Sequence, residues 1–160
     1  MIVRTARQDE AAEVADLINA INRLDGATPP VAMTAAIVTR DLLGPAPRAI
    51  LRVAAEDARL AGFVTGAAVY DAARAASAML VLDLYVRPEC RRRGAARALM
   101  AALAARARAD GCACLWWGVD EGDDEATAFY NAIGAASEGW FDGRILDGAA
   151  FATLADEAAP

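Results

Sequence analysis

Between positions 82 and 99 the chain passes from an apolar, strand-like run through a turn at Arg87 and Pro88 to three consecutive arginines, a glycine and a run of helix formers. A helix start presents unpaired main-chain N–H groups and about half a positive charge, so it attracts phosphate wherever small residues let the ligand approach. Gly94, Ala95 and Ala96 are small, and Arg91, Arg92 and Arg93 add guanidinium forks that can hold phosphate oxygens through paired hydrogen bonds. Together the six residues suit a diphosphate. Neither the Gly-Lys-Ser/Thr of nucleotide-hydrolase loops nor the Gly-x-Gly-x-x-Gly dinucleotide signature is present, which argues against ATP and NAD. Out of context, three arginines before a glycine also make an ordinary solvated basic turn.

Other residue types limit the chemistry. Asp83 stands inside an apolar strand-like run, where an unpaired buried carboxylate costs several kcal/mol and must find a partner. A salt bridge to an arginine and a role as a proton acceptor both remain open for it. Asp120, Glu121, Asp123 and Asp124 cluster between a strand and a helix. Acids there cap the helix, and the first three are further candidates for a base. Tyr130 lies on the stripe Ala126, Phe129, Tyr130 and Ile133, which by itself reads as core. The sequence has no histidine, so neither a histidine base nor a histidine-bound metal is expected, and Cys112-x-Cys114 alone cannot close a four-ligand site. An odd set of three cysteines makes a disulfide framework improbable and fits a reducing cytoplasm. Cys90, between Glu89 and Arg91, is a weak nucleophile candidate that we discount.

The elements that must position these groups follow from periodicity. Residues 2–5 read as a strand and residues 9–24 as a helix stopped by Asp25 and Gly26. Thr34 is a plausible N-cap for a short helix to Leu43, ended by Gly44 and Pro45. Residues 49–55, 60–70 and 79–86 read as an antiparallel meander. Ala96, Leu99, Met100 and Leu103 then mark the longest helix, ended by Gly111. Residues 112–119 predict a strand, 123–133 a helix ended by Gly134, and 137–141 with 144–146 a hairpin. At 160 residues and 57% hydrophobic composition we expect one domain over 1–160, of α+β class: a mixed, mostly antiparallel central sheet with helices on both faces. No run reaches the ~20 apolar residues of a membrane span. The net charge of −6 disfavours nucleic acid, although all 16 basic residues are arginine.

With these motifs in hand, the chain resembles the GNAT superfamily of N-acetyltransferases. Arg91-x-x-Gly94-x-Ala96 matches that family's Arg/Gln-x-x-Gly-x-Gly/Ala loop after a central strand. Ala126-x-x-Phe129-Tyr130-x-x-x-Gly134-Ala135 matches its second signature. More narrowly, residues 34–47, residues 82–86, and Gly134-Ala135 followed by Glu138-Gly139-Trp140 are similar to diamine acetyltransferases. The resemblance implies acetyl-coenzyme A as co-substrate, with the main chain of Leu84, Tyr85 and Val86 pairing with the pantetheine arm and residues 91–96 holding the pyrophosphate. It places Tyr130 beside the coenzyme sulfur and implies a homodimer. Two positions depart from the pattern: Asp123 stands where the family often has a coenzyme-contacting asparagine, and Leu82 where diamine enzymes carry an acid.

The expected reaction is direct attack of a small primary amine on the thioester in a ternary complex, without a metal. A lysine-like amine of pKa ≈ 10.4 is neutral in about one molecule in 2,500 at pH 7, so deprotonation costs roughly 4 to 5 kcal/mol and calls for a base. A phenol such as Tyr130 would favour thiolate departure by hydrogen bonding, since full transfer from pKa ≈ 10 to ≈ 8.5 is uphill by ~2 kcal/mol. Alternative acceptors are an aminoalkyl phosphonate, an amino acid or a protein N-terminus, with residues 25–48 deciding among them. A non-catalytic acyl-coenzyme A sensor is the alternative outside catalysis.

Overall fold

A computed structural model describes residues 1–26 and 28–158. The chain forms two compact units, Met1–Asp120 and Glu121–Pro160. The first holds strands β1 (Ile2–Arg4), β2 (Ile50–Glu56), β3 (Arg59–Asp71), β4 (Ala76–Val86) and β5 (Cys114–Trp116), and helices α1 (Ala11–Ile21), α2 (Ala35–Asp41) and α3 (Ala95–Ala109). The second holds α4 (Asp124–Ala132) and α5 (Gly148–Asp156).

The sheet runs β1-β2-β3-β4-β5, with every pair antiparallel except the parallel β4–β5. Strand alternation sends Leu51, Val53 and Phe63 to one face, where they pack with Val14, Leu17 and Ile18 of α1 and Val38 of α2. The opposite face takes α3, whose Leu99, Met100 and Leu103 are buried. Leu103 Cδ2 lies 3.1 Å from where a Cβ on Gly66 would stand, so only glycine lets α3 settle this closely on β3. The expected α+β architecture is what forms, and α1 and α3 each bury one stripe on the sheet.

Local polar groups fix the ends of these elements. Thr34 caps α2 as its sequence position predicts, its Oγ1 accepting from the Ile37 amide at 3.3 Å. Asn19 on α1 clasps the loop before α2, donating to Met33 O at 2.8 Å and accepting from Met33 N at 2.9 Å. Glu10 is buried and receives Arg4 at 2.6 and 2.8 Å and the Arg7 amide at 2.8 Å. The Arg4 hydrogen bond leads in lowering its carboxyl to a pKa of about 2.

Three expectations need correction. The strand over 112–119 shrinks to Cys114–Trp116, because the Cys112 amide donates to Ala107 O at 2.9 Å and finishes α3 instead. The hairpin over 137–146 does not form: the Gly139 amide donates to the Ser137 hydroxyl at 3.2 Å and Arg144 pairs with Asp142, both local contacts. The alanine-rich Gly148–Asp156, read from sequence as no element, is a helix. No residue from 121 to 158 is buried, and Trp140, Phe141, Ile145, Phe151 and Leu154 are exposed.

Candidate active site

The first unit builds its site from an irregularity in β4. Gly66 stands opposite Val81 but Thr65 opposite Asp83, so Leu82 is an extra residue with no partner on β3. A one-residue bulge reverses which face the following side chains take. Val81 faces α3 with Gly66, whereas Asp83 and Tyr85 turn to the α1 face with Thr65 and Phe63. Tyr85 is accordingly in the α1 core, its ring 6.4 Å from that of Phe63.

Beyond the bulge, β4 loses its second neighbour. β5 pairs only with Ala78, Met79 and Leu80, and among the described residues no strand lies against residues 81–86 on that side. The Arg87 amide donates to Ala61 O at 2.8 Å, which makes 87 and 61 a hydrogen-bonded pair. Antiparallel alternation then assigns the amide and carbonyl of Tyr85 to β3 and points those of Leu84 and Val86 at the open edge. Arg91 Nε donates to Val86 O at 3.2 Å and takes up one of the edge carbonyls. Of the three strand residues singled out from sequence, Leu84 and Val86 thus turn main-chain groups to the open edge, and Tyr85 turns its own to β3.

The chain leaves this edge through a turn at Pro88–Cys90 and enters α3 through two left-handed residues, Arg92 at φ 61° and Gly94 at φ 84°. A Cβ on Gly94 would meet nothing within 4 Å, so the glycine is there for its backbone angle and not for space. No side chain caps α3, in contrast to Thr34 at α2 and Asp123 at α4. The amides of Ala95 and Ala96, in its first turn, thus have no side-chain cap. Ala95 is buried against the sheet and Ala96 half-buried. Arg93 is turned toward Glu56 at the end of β2, 3.4 Å away. A cleft of about 310 Å³ lies on that side, lined by Glu56, Arg59, Arg87 and Cys90 among others and by none of residues 91–96.

Asp83 is half-buried, and its partner is not the arginine considered from sequence. Thr65, only 3% exposed, donates its hydroxyl to Asp83 Oδ2 at 2.6 Å. Asp120 is exposed at the end of this unit.

In the second unit Asp123 caps α4, its carboxylate accepting from the Ala126 amide at 2.9 Å. The capping expected for the acidic cluster thus falls on Asp123, while Glu121 and Asp124 are exposed. Tyr130 is half-buried, with Phe129 at 5.2 Å between ring centroids. Burial, and then the negative charge of Asp123, push its phenol above the ordinary value. Gly134, at φ 90°, closes the helix as the Ala135 amide returns to Tyr130 O at 3.0 Å.

The family model described as the acetyltransferase (GNAT) family matches residues 13–135. The chain belongs to that family. A thialysine N-epsilon-acetyltransferase from Caenorhabditis elegans is 44% identical over 79 residues, covering 47% of this chain and 49% of that protein. The chain thus spans about half the length of this curated relative. Among solved structures, an integron cassette protein from the mobile metagenome of V. cholerae superposes with a TM-score of 0.75 at 21% identity, covering 96% of each chain. A ribosomal-protein-alanine N-acetyltransferase from Brucella melitensis biovar Abortus 2308 gives 0.68 at 24% identity, covering 92% of this chain and 100% of that one. At these identities the structures speak for the fold.

Within this GNAT chain, sequence reasoning missed Thr65 and the bulge at Leu82. Thr65 carried a signal, being a lone hydroxyl in the apolar middle of β3. The bulge carried none, because Leu82 is as apolar as its neighbours and the parity change shows only in the register.

Proposed function

We propose that the chain transfers the acetyl group of acetyl-coenzyme A to a primary amine of a small molecule by direct attack in a ternary complex. The observation that carries this reading is the open edge of β4 at Leu84 and Val86 leading directly into the uncapped start of α3. Such a run of unmatched main-chain groups fits an amide-bearing pantetheine arm followed by a diphosphate, whose oxygens the Ala95 and Ala96 amides and the arginines at 91 and 92 would hold. Bound acetyl-coenzyme A supplies an acetyl group activated as a thioester: the amine nitrogen gains the carbonyl carbon as the carbon–sulfur bond breaks, and the thiol departs.

The protein's own part is electrostatic and proton-handling. Edge amides of Leu84 and Val86 stabilise negative charge on the carbonyl oxygen without reorganising. Asp83 accepts the amine proton, directly or through water. Tyr130, its proton held more tightly than usual, acts as a hydrogen-bond donor to the leaving sulfur, a role that rests on the Phe129-Tyr130 signature. Asp123 at the helix start is a further coenzyme contact in this reading. The name of the Caenorhabditis elegans relative favours an amino-acid side-chain amine within this acceptor class. Residues 1–160 act as one domain, paired with a second copy and working in the cytoplasm; the exposed Trp140 and Phe141 and the three free cysteines support those last two points.

Thiol release measured over a panel of primary amines, including thialysine, lysine and 1,4-diaminobutane, tests the proposal. Amine-dependent release is expected, and Tyr130→Phe should slow it by roughly 10- to 100-fold while coenzyme binding persists. Acetyl-coenzyme A at 100 times its dissociation constant should add about 2.7 kcal/mol of stability. A protein that binds the coenzyme but releases no thiol with any amine would be a sensor instead.

A further inference from the structure

We infer that Thr65 is a positioning residue for Asp83, so that the proton-accepting group is a cross-strand pair and not a single carboxylate. The inference rests on the reading of Asp83 as the base. Thr65 and Asp83 are directly opposite in the β3–β4 ladder, and the bulge at Leu82 is what brings Asp83 to the α1 face that Thr65 already takes. Were Leu82 paired regularly in the ladder, it would stand opposite Thr65, Asp83 would share the α3 face with Val81, and the Thr65 hydroxyl would face no carboxylate.

The pair is asymmetric in burial. Thr65 is buried within the sheet, whereas Asp83 is half-buried at the strand whose far edge is open. A hydroxyl 2.6 Å from Oδ2 fixes the rotation of the carboxylate and leaves Oδ1 to take a proton. The buried Phe63 and Tyr85 rings form the next pair along the ladder on the same face and pin the two strands beside Thr65 and Asp83. A carboxylate serving only to stabilise the fold would be expected to hold several donors, as Glu10 does. Asp83 has instead one uncharged donor, which orients it without neutralising it.

Four variants and the wild type decide the matter: Asp83→Asn, Thr65→Val, Thr65→Ser and the Asp83→Asn/Thr65→Val double variant, each assayed for thiol release from acetyl-coenzyme A with thialysine and 1,4-diaminobutane. We expect Asp83→Asn to lower kcat about 100-fold or more. Thr65→Val, nearly the same size, should lower kcat about tenfold with KM for acetyl-coenzyme A unchanged, and Thr65→Ser should recover to within about twofold. The double variant should be no slower than Asp83→Asn, because Thr65 acts only through that carboxylate. If Thr65→Val does not fold, Thr65→Ala takes its place, with the same expectation. Multiplying losses in the double variant, or a Thr65→Val enzyme at the wild-type rate beside an impaired Asp83→Asn, would overturn the positioning role alone. An Asp83→Asn enzyme at the wild-type rate would overturn the assignment of the base and the inference with it.

Discussion

The two halves of β4 are built from similar apolar residues yet do different work. From Ala78 to Leu80 the strand is flanked by β3 and β5. After Leu82 it keeps β3, loses β5 and turns Asp83 and Tyr85 to the opposite face. The fully paired half is a structural beam. In the half with one edge left open no strand among the described residues matches the outward main-chain groups, and it is there that our proposal places function. Two carboxylates repeat the contrast: Glu10 is enclosed by two arginines and an amide, while Asp83 holds one hydroxyl.

The most drastic way to break this contrast is to truncate Tyr85, whose ring the bulge turns into the α1 core. Tyr85→Ala takes a buried ring from the α1 core, at a cost of roughly 4 kcal/mol in urea unfolding, as for the loss of other large core side chains.

The next effect separates the carboxylates. Glu10→Gln should destabilise the fold by about 2 kcal/mol at neutral pH, because it strips the partners of Arg4 and Arg7, whereas Asp83→Asn should change stability little. The folded-state pKa of Glu10, about 2, lies below its ordinary 4.5. Its contribution is therefore complete above pH 4.5 and is lost as the pH falls toward 2. Thermal melts of wild type and Glu10→Gln should accordingly converge over that window and separate above it.

A smaller effect is expected at the start of α3. Gly94→Ala meets no steric obstacle, so its cost is the left-handed backbone alone, about 1 kcal/mol in unfolding free energy. A loss much above that would mean the loop makes contacts that its geometry does not require.

Much of this was legible beforehand, for identifiable reasons. The meander, α3 and the Thr34 cap all follow from local periodicity and capping chemistry, which single residues announce. The arginine-glycine loop was legible from its context, between an apolar strand-like run and a helix pattern. What escaped were features defined by pairing between strands. The bulge at Leu82 and the short reach of β5 depend on which residue stands opposite which, and no apolar residue records its partner. The 137–146 segment was misread as a hairpin because Trp140, Phe141, Ile145 and Leu146 look like strand residues; in the fold they are exposed and pair with no strand, and the side-chain contacts there are local. The helix Gly148–Asp156 was missed because its short, alanine-rich run shows no distinct apolar stripe.

Amide hydrogen exchange, followed residue by residue with and without acetyl-coenzyme A, puts the question most directly. The amides of Leu84, Val86, Ala95 and Ala96 should exchange quickly in the free protein and become strongly protected by the coenzyme, while those of Met79 and Leu80 stay slow in both. Unchanged exchange at all four positions in the presence of saturating coenzyme would contradict the assignment of the open β4 edge and the α3 start as its seat.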